Sequence, residues 1–177
     1  MNNDIKVFGI AGWSGSGKTT LLSRLLPELC ARGVVVVTVK YVHHSFDIFD
    51  KDHITCEWRE AGASEVMYVS DKRWALLHEL QNEVQPSVEE LYKQFGPADL
   101  LLIEGFKYHN HTKLEIFRSN ISKPLLAKND KWIIAIASDS GRPKQLPENS
   151  DVVILDLNDI SAVAEFIIIH NGLIEGN

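Results

Sequence analysis

The sequence is poor in cysteine, in positive charge and in long apolar runs, and each shortage removes a class of answer. Only two cysteines occur in 177 residues, Cys30 and Cys56. Their separation matches neither a CxxC metal pair nor a dense disulfide framework, so both read as free thiols of a reducing compartment. The formal charge of −6 gives no general attraction to polyanions, and seven histidines, largely neutral at pH 7, would not reverse it. Nucleic acid is therefore not an expected partner. No apolar run approaches the roughly 18 residues a membrane helix needs, and Met1-Asn2-Asn3-Asp4 lacks a basic leader. The expectation is a soluble, cytoplasmic protein with no membrane partner. What is present, 45% hydrophobic and 24% charged side chains, is ordinary globular usage with enough length to bury one substantial core.

Periodicity supplies the architecture. Residues 5–11 read as a short apolar strand, followed by a glycine-rich turn and a helix opening near Lys18. Leu21, Leu22, Leu25, Leu26 and Leu29 recur at three-to-four spacing and give that helix one buried face. Pro27 is expected to kink it, and Gly33 to stop it. Residues 34–39, almost all valine, read as a strand buried on both faces. Beyond a polar, irregular loop over residues 40–52, strands are expected at 65–69, 100–103, 132–137 and 152–155, with helices at 73–81, 88–95 and 160–170. Residues 113–118 alternate polar and apolar, as a half-exposed strand would. Apolar strands separated by helical stretches imply an α/β fold with a mostly parallel sheet flanked by helices. No repeat, low-complexity tract or linker is visible, so residues 1–177 read as one nucleotide-binding domain.

The segment Gly12-Trp13-Ser14-Gly15-Ser16-Gly17-Lys18-Thr19 matches the phosphate-loop pattern GxxxxGK[ST] in its proper context, after a strand and before a helix. There, successive backbone N–H groups and a helix N-terminus converge on an anion. Lys18 is placed to neutralise the β- and γ-phosphates of a nucleoside triphosphate, and the Thr19 hydroxyl to ligate Mg²⁺. A second acidic group should face this loop. Ligands of parallel sheets sit at the carboxyl ends of the strands, which selects Glu104 over Asp99 at the far end of the same run. Asp47, Asp50 and Asp52 offer a third oxygen ligand, and Asp47 is the choice among them. Asp139 follows a strand where a carboxylate could accept from both N1–H and N2–H₂ of guanine, favouring GTP over ATP. Lys128-Asn129-Asp130 has similar letters but precedes its strand, at the wrong edge.

The order of motifs resembles the molybdopterin-guanine dinucleotide biosynthesis adapter family, MobB. The matching stretches are Gly15-Ser16-Gly17-Lys18-Thr19-Thr20-Leu21-Leu22, Leu26-Pro27, Arg32-Gly33, Lys40 with His43-His44, Lys51-Asp52, Arg59 with Ala61-Gly62-Ala63, Ser70 with Arg73-Trp74-Ala75-Leu76, Glu104-Gly105-Phe106-Lys107 and Ala137-Ser138-Asp139. The resemblance implies a P-loop NTPase fold with extra strands that join two subunits in a homodimer. It also implies GTP and Mg²⁺ as ligands, Thr20 within the nucleotide site, and weak GTP hydrolysis. The partner it implies is the guanylyltransferase that joins GMP to molybdopterin, with molybdopterin itself as a further candidate ligand. The chain departs from the family pattern at Lys40-Tyr41, where Lys-His is usual, and at Ile48-Phe49-Asp50, which replaces a proline-glycine. Those changes touch the loop that carries Asp47 and leave the phosphate loop intact.

Other residues have more ordinary readings. His43, His44, His109 and His111 read as loop hydrogen-bonders or phosphate contacts rather than a transition-metal site. Arg59, Arg73 and Arg118 read as surface or packing arginines before arginine fingers acting across a dimer. Trp13 is unusual in a phosphate loop, and a large side chain at its mouth suggests a partner contact. Two rival functions remain open from the sequence: a small-molecule kinase using the 40–52 loop to hold an acceptor, and a nickel-delivery GTPase using the paired histidines.

Overall fold

The computed structural model describes residues 5–42, 57–58, 60–80, 83–105 and 109–173. Asp47, Asp50, Asp52, Cys56, Arg59 and the pair His43-His44 lie outside them. The chain divides into two compact units, one combining Met1–Tyr41 with Gln94–Asn177 and the other formed by Val42–Lys93.

In the first unit, six strands form one sheet: β1 (Lys6–Ala11), β2 (Val36–Lys40), β5 (Leu100–Glu104), β6 (Lys113–Phe117), β7 (Ile133–Ser138) and β8 (Val153–Asp156), in spatial order β2-β5-β1-β6-β7-β8. Every pairing in it is parallel. Helix α1 (Lys18–Ala31) follows β1 and buries Leu21, Leu22, Leu25 and Leu29, the face its leucine spacing predicts. Pro27 lies inside the helix without ending it. At the exit the Gly33 amide donates to the Cys30 carbonyl, 3.0 Å, in a left-handed conformation with φ of 83°. The last helix, Ile160–Asn171, is capped by Asp159, whose carboxylate accepts from the Ala162 amide at 2.9 Å. The two helices pack together on one face of the sheet, over Phe8, Ile10, Leu100, Leu102, Leu114 and Ala135. Each fully buried leucine there contributes roughly 2 kcal/mol of transfer free energy.

Two strands of this sheet depart from expectation. The valine run forms β2 at the sheet edge, paired with β5 alone and half-buried to exposed along its length, instead of a strand buried on both faces. β-branched residues encode strand conformation, and say little about a strand's rank in the sheet. Conversely β6, whose alternation suggests half exposure, lies between β1 and β7 with Lys113 and Glu115 at 0% and 1% exposure. The polar alternate face is covered by a 3₁₀ turn at Leu126–Lys128, with Leu125 and Leu146 clustered on Ile136 of β7.

The second unit contains a hairpin of β3 (Glu65–Val69) and β4 (Trp74–His78), antiparallel with Glu65 opposite His78 and Val69 opposite Trp74, and a short helix, Val88–Tyr92. The expected helix over 73–81 is thus a strand. Trp74-Ala75-Leu76-Leu77 is an apolar run too short for its period to separate helix from strand. The turn decides: the Ser70 amide donates to the Arg73 carbonyl at 2.8 Å, and the Ser70 hydroxyl accepts from the Lys72 and Arg73 amides. The short helix begins in a capping box between Ser87 and Glu90.

Candidate functional site

The site is built where β1 ends. The chain turns at Gly12, where a Cβ would lie 2.6 Å from the Ser16 hydroxyl, and enters α1 through Gly17, which caps the helix in the left-handed region with φ of 97°. Between them the Ser16 amide donates to the Trp13 carbonyl at 3.1 Å and closes the turn. Gly17 offers no side-chain cap, so the first-turn amides, beginning with Lys18, Thr19 and Thr20, have no capping side chain. The Lys18 ammonium curls back over the loop and donates to the carbonyls of Gly12 and Trp13, each at 3.0 Å. The Ser16 hydroxyl is buried with no hydrogen-bond partner among the described residues. First-turn amides without a capping side chain, with an ammonium beside them, fit an anion seated in the loop.

Three further residues meet at the start of α1. Glu104 ends β5, opposite Ile10 of β1 on one side and Lys40 of β2 on the other. The Thr19 hydroxyl lies 2.8 and 3.0 Å from the two Glu104 carboxylate oxygens. The Lys40 ammonium stands 3.3 Å from the same hydroxyl and 3.6 Å from Glu104 Oε2. A hydroxyl and a carboxylate beside a phosphate loop are a hard oxygen donor set suited to Mg²⁺. Asp99 lies at the other end of β5, where its carboxylate accepts from the Val35 amide at 2.8 Å, a structural use. Asp47, the chosen third ligand, lies outside the described residues.

Asp139 directly follows β7, with its side chain 22% exposed. One of its oxygens accepts from the Ser119 amide at 3.0 Å and the other lies 3.8 Å from Arg118. The Ser119 amide is the main cause that holds this carboxyl below the ordinary aspartate range; burial opposes it, and the Ser140 and Ser119 side chains and the Arg118 charge add smaller lowering effects. Arg118 also donates through Nε to the Ser16 carbonyl at 2.9 Å, tying the β6 end to the phosphate loop of its own chain. Trp13 is likewise held within the chain: its indole N–H donates to the Pro124 carbonyl at 2.7 Å, and Lys123 stands 5.8 Å from its ring. That docking holds the indole against its own chain.

Beneath the loop, β6 carries two buried charges that its pattern does not reveal. Glu115 accepts from the Leu126 and Ala127 amides at 2.9 and 2.8 Å and thereby anchors the 3₁₀ turn. Burial pushes its carboxyl above the ordinary glutamate value, outweighing those two hydrogen bonds. Lys113 pairs with Asp130 at 2.8 Å and donates to the His109 carbonyl at 2.7 Å. Asp130, from the segment with the misplaced guanine-motif letters, is therefore a partner of a buried lysine. Among the described residues there is no cluster of three or more His, Cys, Asp and Glu side chains that could hold a metal ion. Nor is any described helix long and apolar enough to cross a membrane.

Lys40 and Arg118 are the site residues that the sequence alone does not deliver in these roles. Lys40 could have been found by register: the last residue of β2 falls beside the last residue of β5.

Comparison with known proteins gives a consistent picture. The family described as "Molybdopterin guanine dinucleotide synthesis protein B" matches residues 7–139. The chain is 37% identical over 167 residues to the molybdopterin-guanine dinucleotide biosynthesis adapter protein of Escherichia coli K12, covering 93% of this chain and 92% of that one. It is 38% identical over 169 residues to the protein of the same name from Haemophilus influenzae, covering 94% and 90%. Among solved structures, molybdopterin-guanine biosynthesis protein B superposes with a TM-score of 0.70 at 23% identity, covering 93% of this chain and 99% of that one. The MobB homologue of Bacillus stearothermophilus gives 0.69 at 20% identity, covering 95% and 99%. These structures share the fold described above, a parallel six-stranded sheet flanked by helices.

Proposed function

The chain belongs to the molybdopterin guanine dinucleotide synthesis protein B family, and from that premise we propose that it is a GTP-binding adapter in molybdopterin guanine dinucleotide biosynthesis. It assists the guanylyltransferase of that biosynthesis and hydrolyses GTP slowly, with Mg²⁺. The observation that carries this reading is the convergence of the uncapped first-turn amides, the Lys18 ammonium and the Thr19–Glu104 pair at the start of α1. The amides of Ser14 to Thr20 cradle the phosphates, and Lys18 leaves the Gly12 and Trp13 carbonyls for the β- and γ-phosphates. Thr19 and Glu104 would hold Mg²⁺, with Asp47 as their third partner, and the ion would supply neutralisation of phosphate charge. Asp139 accepts from the guanine edge. Glu104 is the one base in the described cluster, and holding the metal with Thr19 would leave it unable to activate water, which favours firm binding with slow turnover.

Calorimetric titration with GTP and ATP in Mg²⁺ tests the reading. GTP binds more tightly than ATP, Lys18→Ala loses the greater part of the affinity, and Asp139→Asn narrows the gap between the two nucleotides. Turnover by the purified chain stays well below about 10 s⁻¹, a typical enzyme rate. Equal binding by Lys18→Ala and the unmodified chain would sink the proposal. Repeating the titration with guanylyltransferase present measures the adapter role.

The second unit supports a homodimer. Met67 and Val69 on β3 and Trp74 and Leu76 on β4 pair across the hairpin and alternate onto one face, and all four are exposed. An apolar face of that kind fits a second copy of the chain. Sedimentation of Trp74→Glu at a monomer's mass, where the unmodified chain sediments as a dimer, is the expected result.

A further inference from the structure

The Thr19–Glu104 pair already has a cation. Lys40 ends β2 exactly one strand away from Glu104 in register, and its ammonium lies within 3.3 Å of the Thr19 hydroxyl and 3.6 Å of Glu104 Oε2. A divalent ion bound to the same two oxygens would stand about 2.1 Å from each. An ammonium at those distances and a divalent ion cannot share that space, because two positive charges a few ångströms apart repel strongly beside a mostly buried carboxylate. The Glu104 side chain is only 12% exposed, so it draws little compensation from solvent. The Lys40 side chain, by contrast, is 55% exposed and rides on a flexible four-carbon stem at a sheet edge, so it can swing away.

We propose that Lys40 is the resident cation of the magnesium site in the nucleotide-free protein, so that a divalent metal enters together with the triphosphate and not before it. The triphosphate supplies the negative charge that lets the ammonium leave Glu104, and the metal then takes the vacated position between Thr19 and Glu104. The inference rests on the metal-binding reading of those two residues. Its consequence is thermodynamic coupling: nucleotide raises metal affinity, and metal raises nucleotide affinity by the same factor.

The test titrates Mn²⁺, as a divalent probe, into the nucleotide-free chain and follows the free ion by electron paramagnetic resonance. The unmodified chain and Lys40→Arg bind it weakly. Lys40→Met binds it roughly tenfold more tightly, the size expected for removing one charge a few ångströms away in a partly screened site. The gain disappears in Lys40→Met combined with Glu104→Gln, and nucleotide then raises metal affinity by a smaller factor in Lys40→Met than in the unmodified chain. Thermal melts establish that each variant is folded. Unchanged Mn²⁺ affinity in Lys40→Met overturns the proposal, as does a gain that survives loss of the Glu104 charge, since that would be a general surface effect. A chain that binds no Mg²⁺–GTP refutes the functional reading instead, and the nucleotide-free titration still judges Lys40.

Discussion

The two ends of the six-stranded sheet use charge in opposite ways. At the amino ends of β5, β6 and β7, Asp99 is satisfied by the Val35 amide, and Lys113 is enclosed by Asp130 and the His109 carbonyl. Those groups close on one another and leave little for a ligand. At the carboxyl ends, Lys18 rests on loop carbonyls, the Ser16 hydroxyl is unpartnered, and Lys40 and Glu104 meet over Thr19. Here Thr19 and Lys40 are exposed, so an incoming ligand can displace the partners they hold. The difference teaches that a charge in this fold is diagnosed by what completes its shell: backbone and a fixed partner for a structural charge, an exchangeable partner for a functional one.

The comparison is broken most directly at Lys113. Its side chain is fully buried, so Lys113→Ala leaves Asp130 without its cation and a cavity behind, at a cost of about 3–5 kcal/mol in urea unfolding. GTP affinity of the folded fraction should not change; a loss of affinity without a loss of stability would place Lys113 among the functional charges. Next in size, Glu115→Ala strips the acceptors from the Leu126 and Ala127 amides and costs about 2–3 kcal/mol. The pH dependence sharpens this case. Burial raises the Glu115 carboxyl above its unfolded value, so its contribution is fully present below the unfolded value and is lost as pH rises through the raised one. Glu115→Gln, which cannot ionise, should flatten that part of the stability–pH curve.

At the carboxyl end the signs reverse. Ser16→Ala removes a buried unpartnered hydroxyl, so stability holds or rises slightly, while triphosphate affinity falls by roughly fivefold, about 1 kcal/mol. A stability loss with unchanged affinity would make Ser16 structural. The smallest effect concerns Asp139, whose carboxyl should titrate below the ordinary aspartate range by NMR. Arg118→Ala should move it up only slightly, because the Ser119 amide is the main cause and Arg118 the least.

How far the sequence discloses all this depends on which physical signal each residue leaves. The glycine-rich turn is legible because its glycines and Lys18 are fixed by backbone geometry within eight consecutive residues, Gly12 to Thr19. Helix α1 is legible because one leucine face at helical period admits no other reading. Residues 74–78 mislead because an apolar run of one strand's length has no period of its own, and the serine turn before it is a weak signal. Lys113 and Glu115 mislead for a different reason: alternation normally marks a solvent face, and here the polar face is roofed by a loop whose amides and Asp130 satisfy it. Lys40 is invisible from spacing, since its meeting with Glu104 across 64 residues needs the register of β2 on β5.

The strand order has a consequence for the birth of the molecule. β1 pairs with β5 and β6, and β2 pairs with β5, so the first two strands never pair with each other. A nascent chain emerging from a ribosome therefore carries its glycine-rich turn for some ninety residues with no strand beside it, until Leu100–Glu104 arrives to fill the gap between β2 and β1. Nucleotide cannot act as an early template for such a chain, and a product truncated before Leu100 should remain a target for proteolysis however much GTP surrounds it.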